Sequence, residues 1–175
     1  APDAGSASRA RGANGATNHT AGGTTAPERN VRSANTGSGI QIANAATTGT
    51  LIQGNYLGTD ISGTVALGNS TDGVGFWGAG TGNVLGGGQA GAGNLISGNA
   101  GSGVLVANAS SAVVIQGNTI GLSVDGDSVL ANGQAGVRVT GASTNTLIGT
   151  DADGLNDAAE RNVISGNLNN GVGIE

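Results

Sequence analysis

The densest group of side chains able to do chemistry is Asp151-Ala152-Asp153-Gly154-Leu155-Asn156-Asp157-Ala158-Ala159-Glu160, with five oxygen-bearing residues in one stretch. Ca2+ takes six to eight hard oxygen ligands, and Asp151, Asp153 and Asp157 are the residues expected to hold it. The opening Asp-x-Asp-Gly lacks the spacing of an EF-hand loop. The competing reading is a solvated loop that closes in a short helical turn, with Asn156 as its cap and Glu160 nearby. Asp125 and Asp127 are a sparser version of the same pattern. Ca2+ is the one cofactor the residues suggest. No catalytic or cofactor-binding residue is expected. The chain has no Cys, hence no thiol nucleophile, thiolate metal site or disulfide. The single His, His19, has no Ser or Asp partner in view. Sugar platforms need aromatic faces, and only Tyr56, Phe76 and Trp77 are available.

Composition narrows the classes further. Of 175 residues, 36 are Gly and two are Pro, without a Gly-X-Y period, which excludes collagen. Charged residues are 10% of the chain and the net charge is −5, too little charge for a typical disordered chain. All six basic residues are Arg, an acidic and Lys-free balance that argues against nucleic acid. No apolar run nears the roughly 20 residues of a membrane helix, so no membrane insertion is expected. The chain opens Ala1-Pro2-Asp3 and breaks off inside a repeat at Glu175, as an excised piece of a longer solenoid would.

What must position these groups is a repeat. The motif Gly-(Val/Ile)-x-(apolar) recurs at Gly39, Gly73, Gly103, Gly136 and Gly171, spaced 34, 30, 33 and 35 residues apart. Each copy alternates apolar and other residues, the period of a half-buried strand. A second strand follows through Ile52, Leu85, Ile115 and either Leu147 or Ile148. A third follows through Leu57, Ile96, Ile120 and Ile164. Three strands per turn with short corners place each strand beside its counterpart one turn later, in parallel pairing. The expected inward columns of strand one are Ile40/Val74/Val104/Val137/Val172 and Ile42/Phe76/Val106/Val139/Ile174. The expected outward positions are Gly, Ser, Gln, Thr and Arg. Asn marks the corners: Asn44 and Asn108, Asn55 and Asn118, and Asn35, Asn99 and Asn167. Stacked carboxamides and tolerance of left-handed backbone suit that position.

Long excursions alternate between two places. Residues 58–69 align without a gap on 121–132, after the third strand, whereas 86–93 and 149–161 fall between strands two and three. The fold class is therefore all-β: a three-sided parallel β-helix of about five rungs of ~33 residues, with alternating loop positions.

The segments "NLISGN…GVLV", "GTDISGTVALGN" and "NVISGN" resemble the repeats of bacterial secreted right-handed parallel β-helix proteins, the pectate-lyase-like solenoids. The resemblance covers about residues 7–175. It implies a right-handed coil and an extracellular or cell-surface setting. Lyases of this kind would be expected to line up acids holding Ca2+ beside a Lys or Arg base. Here Lys is absent, and Arg138 has no acid in register on its strand. The function expected is a non-catalytic structural or adhesive rod. A carbohydrate-binding or carbohydrate-active β-helix with its site on the long loops, or outside this segment, is the alternative. Surface polysaccharide and neighbouring solenoid rungs are the partners to consider.

Residues 1–35 read as a degenerate capping rung before the helix of 36–175. Alignment puts Ser8, Ala10, Ala21 and Arg32 where later rungs carry Val, Val, Leu and Ile, while corner residues persist. Such an end repeat blunts stacking, and a monomer is expected.

Overall fold

The computed structural model describes residues 15–175. Fifteen short strands form three five-stranded parallel sheets, with one three-residue 3-10 turn (Ala26–Glu28) and one four-residue α-helix among the described residues. The first sheet holds β3 (Ile40–Ala43), β6 (Val74–Trp77), β9 (Val104–Ala107), β12 (Val137–Val139) and β15 (Val172–Ile174). The second holds β1 (Thr20–Gly22), β4 (Leu51–Gln53), β7 (Val84–Gly86), β10 (Val114–Gln116) and β13 (Leu147–Ile148). The third holds β2 (Val31–Arg32), β5 (Tyr56–Leu57), β8 (Leu95–Ile96), β11 (Thr119–Ile120) and β14 (Val163–Ile164). The chain visits the sheets in rotation, so it is a β-solenoid of five turns.

The register is the one the repeat predicts. Ile40 pairs with Val74, Val74 with Val104, Val104 with Val137 and Val137 with Val172. In the second sheet Ile52, Leu85, Ile115 and Ile148 form one column, which decides between Leu147 and Ile148. Leu57, Ile96, Ile120 and Ile164 form the third. Val74, Phe76, Ile52, Leu57, Leu85, Ile96, Val104, Val106, Ile115, Ile120 and Val137 are all fully buried. Ala21 and Arg32 occupy the columns of Ile52 and Leu57, as the degenerate rung requires. Ser8 and Ala10 lie outside the described residues.

Two asparagine ladders tie the turns together. At the corner before strand three, Asn30, Asn55, Asn94, Asn118 and Asn162 stack. At the corner after it, Asn35, Asn69, Asn99, Asn132 and Asn167 do the same. In each step the backbone N–H and Nδ2 of one Asn donate to Oδ1 of the next, over 2.7–3.4 Å. The other Nδ2 proton reaches back to a strand carbonyl of the preceding turn, as from Asn94 to Ile52. Asn94 thus satisfies its backbone N–H, both amide protons and both Oδ1 lone pairs while 2% exposed. Left-handed backbone is used elsewhere: Asn44 and Asn108 have φ of 83° and 57°, and Asn44 Oδ1 accepts from Ala46 N–H as a local turn.

The alternation of excursions has a steric cause. A rung rises only about 4.8 Å, less than the thickness of a looped chain, so each excursion spreads over the corner of the adjacent rung. That corner must be Gly. A Cβ on Gly54 would lie 2.1 Å from the carbonyl oxygen of Gly23 and 3.0 Å from that of Gly91. One on Gly98 would lie 2.8 Å from the Gly58 oxygen and 2.9 Å from the Ala66 Cβ.

The outward side of the third sheet differs from the polar face expected. Tyr56 and Leu95 point away from the solenoid interior yet are 8% and 3% exposed. The excursion of residues 58–69, pinned by a Thr59–Ala66 bridge, folds over them with Gly63 in contact. Arg29 adds its guanidinium 4.1 Å from the centre of the Tyr56 ring.

Candidate functional site

The acidic stretch emerges from the second sheet at Ile148 and ends in a single helical turn, α1 (Asp157–Glu160). Asn156 sits before the turn in left-handed conformation, φ 63°, and its side chain makes no capping hydrogen bond. The turn forms through the Asn156 carbonyl, which accepts from Ala159 and Glu160 N–H. Positions i and i+3 of a turn share a face, which brings Glu160 beside Asp157. Asp151, Asp157 and Glu160 each offer a carboxylate oxygen within 4.8 Å of the others. Glu160 is only 7% exposed, rests against Gly88 of the neighbouring excursion, and accepts from Asp151 N–H at 3.2 Å. One Asp157 oxygen is buried without a hydrogen-bond partner.

Of the three expected ligands the structure therefore gathers Asp151 and Asp157. Asp153 stands outside the group, its carboxylate turned to Leu155 N–H at 2.7 Å. Glu160 takes its place, and the i, i+3 spacing from Asp157 is the signal that would have found it. Three carboxylates are fewer than the six to eight oxygens Ca2+ takes, so carbonyls or water would have to complete the shell. The metal reading expects heat in a calorimetric titration with Ca2+ and a melting temperature lowered by chelator, both lost in Glu160→Gln. A flat trace at millimolar Ca2+ removes it.

In the weaker acidic pattern Asp125 is engaged within its own loop, where it accepts from Asp127 N–H at 3.1 Å. Ser62 Oγ donates to Asp60 at 2.7 Å, and Ser123 Oγ donates to Asp125. By alignment Asp60 matches Ser123 and Ser62 matches Asp125. The two excursions keep one hydrogen bond with donor and acceptor exchanged. These bonds hold both carboxyls below the usual carboxylate range.

Other candidates resolve individually. His19 is exposed. Trp77 is half-buried and lies over Gly75, whose Cβ would sit 2.5 Å from the indole nitrogen. Arg138 faces Gly173 in register, as expected, but pairs diagonally with Glu175 at 2.6 Å on an exposed surface. Such a pair is worth little.

Asp72 is a second buried carboxyl, which composition hides. It is 8% exposed and accepts from Ser102 N–H at 2.9 Å. Burial pushes its pKa up, only partly offset by that bond. The folded pKa exceeds the unfolded one, so the folded state binds the proton more tightly. Stability from this group is greatest at acid pH and declines as pH rises through the folded pKa. Asp72→Asn keeps the Oδ1 acceptor and removes the charge. At neutral pH it is expected to raise the melting temperature by about 2–5 °C, with the advantage fading toward pH 3. Thermal melts of both proteins across pH check it.

Among the described residues no helix is long and apolar enough to cross a membrane. Compared with family models, curated proteins and solved structures, the chain has no match.

Proposed function

We propose that this solenoid is a non-catalytic structural or adhesive segment of a secreted or cell-surface protein, working as a rigid rod and spacer. The pair of unbroken asparagine ladders carries this reading. Ten side chains that could have been spent on a ligand are committed to joining one turn to the next. Coupling between neighbouring rungs at two corners and three sheets makes bending costly along the whole coil. The outward residues of the first sheet, Gln41, Gly75, Leu105, Arg138 and Gly173, present no repeating chemistry. The likeness of its repeats to pectate-lyase-like solenoids of secreted bacterial proteins supports the extracellular setting. Residues 1–35 act in this reading as the capping rung that keeps the chain monomeric.

The alternative is a carbohydrate-binding or carbohydrate-active β-helix using its loops. A polysaccharide array, read for binding and by absorbance for new unsaturated chain ends, separates the two. The rod predicts neither signal. Retention of one polysaccharide, or release of unsaturated ends, overturns it.

A further inference from the structure

Gln116 is the last residue of β10, next to the fully buried Ile115, so it points out of the second sheet. It is nonetheless 7% exposed, and its Nε2 is buried without a hydrogen-bond partner. Its column neighbours are Gly86 on one side and, one residue past Ile148, Gly149 on the other. The chain leaves the sheet at both, into the excursions of 86–93 and 149–161. A Cβ on Gly117 would lie 2.6 Å from the Gly87 oxygen and 2.9 Å from the Ala159 oxygen, so the two excursions meet at this corner. Glu160 crosses it. Its side chain accepts from Asp151 N–H in the later turn, while a Cβ on Gly88 in the earlier turn would lie 3.2 Å from its Oε1. Its carbonyl accepts from Gly117 N–H, in the turn between, at 2.7 Å. Gly117 has no side chain, so the group beneath the Glu160 carboxylate is Gln116.

The carboxylates above it are uncompensated. Asp151, Asp157 and Glu160 present oxygens within 4.8 Å of one another, and no described Arg pairs with any of them. One oxygen of Asp157 is buried and accepts no hydrogen bond. A buried acceptor without a donor and a buried amide nitrogen without an acceptor therefore lie under the same cover. A bridging water would satisfy those two atoms but leave three like charges together, which a divalent cation offsets. Two ligands on opposite sides of one Ca2+ are about 4.6–5.2 Å apart, twice its usual bond length. Turning the Gln116 amide over puts Oε1 where Nε2 lies, and it breaks no hydrogen bond to a described residue. That supplies a fourth protein oxygen, from a different turn of the solenoid.

We propose that Asp151, Asp157, Glu160 and Gln116 together hold one Ca2+, with water completing its shell. The ion clamps the excursion of 149–161 across β10 and onto the excursion of 86–93. The site is independent of the rod reading, because the coil can serve as a rod with or without the ion.

Calorimetric titration of the whole chain with Ca2+ tests the ligand set through substitutions of opposite sign. Three charges and a shell completed by water predict a Kd of about 10⁻⁴–10⁻³ M for the parent. Gln116→Leu removes a ligand and should weaken binding about tenfold, whereas Gln116→Glu adds a fourth charge and should tighten it about tenfold. Asp153→Asn, outside the group, should change it by less than about threefold. Hydrogen exchange should slow in 86–93 and 149–161 when Ca2+ is added to the parent, and not in Glu160→Gln. A flat trace for the parent at millimolar Ca2+ overturns the site. Loss of binding in Asp153→Asn as complete as in Glu160→Gln overturns this ligand set. Parent-like affinity in both Gln116 variants removes Gln116 from it. Circular dichroism melts without Ca2+ confirm that each variant is folded, and if Gln116→Leu is not, Gln116→Glu decides. The polysaccharide array is independent of this result, so either reading can fail alone.

Discussion

Val104→Asp is expected to abolish folding. Val104 is fully buried in the middle turn, between Val74 and Val137 of the same column. The described core around it is hydrocarbon, and the substitution puts a carboxylate there with no cation in reach. An uncompensated buried charge costs about 3–5 kcal/mol, and the lost Val burial adds about 1.5 kcal/mol or more. A domain of this size is stable by only about 5–15 kcal/mol. In a solenoid the loss falls on both interfaces of the rung at once. Far-UV circular dichroism of the purified chain reads the outcome. Leu105→Asp, one position along and half-buried on the outward side, is the control and should remain folded. A native spectrum for Val104→Asp would mean that the column is not inside.

The combination Ser8→Val, Ala10→Val, Ala21→Leu and Arg32→Ile is expected to turn a monomer into oligomers or filaments. Ala21 and Arg32 occupy the inward columns of Ile52 and Leu57, and Arg32 holds its Nε buried without a hydrogen-bond partner. An end rung of this kind gives an incoming rung little apolar surface and a charge to desolvate. Restoring four large apolar side chains, at about 1.5–3 kcal/mol each, is enough to tighten association by several orders of magnitude. An open sheet end with matching columns is a template for further strands. Light scattering across a concentration series decides it. A variant as monomeric as the parent at high concentration removes the capping role from residues 1–35.

The columns of strands one and two were legible because their core positions obey two rules at once, the alternation within a strand and the 30–35-residue recurrence between strands, whereas the third column recurs unevenly because the excursions fall alternately before and after it. The ladders were legible only in part. Asn55, Asn118, Asn35, Asn99 and Asn167 stood out at corners, but Asn30, Asn94, Asn162, Asn69 and Asn132 were hidden by the excursions beside them. The missing rule is positional. An Asn immediately precedes strand three in every turn, and another stands four residues before each strand-one Gly. Burial of Tyr56 and Leu95 was not legible, because their cover comes from a loop folding back across the sheet and leaves no period. Glu160 escaped for a related reason: it joins Asp151 and Asp157 only through the one-turn helix that Asn156 starts from its carbonyl.

The solenoid requires both ladders to be formed and in this register. An isotope-edited nuclear Overhauser experiment on the Asn side-chain amides tests that directly. It should connect the carboxamides of Asn30, Asn55, Asn94, Asn118 and Asn162 in that order, and those of Asn35, Asn69, Asn99, Asn132 and Asn167 likewise. The protons of Asn94, Asn99 and Asn118 should exchange slowly, being buried and fully bonded. Carboxamide protons exchanging at solvent rates, or connectivities in another order, would contradict the solenoid as described.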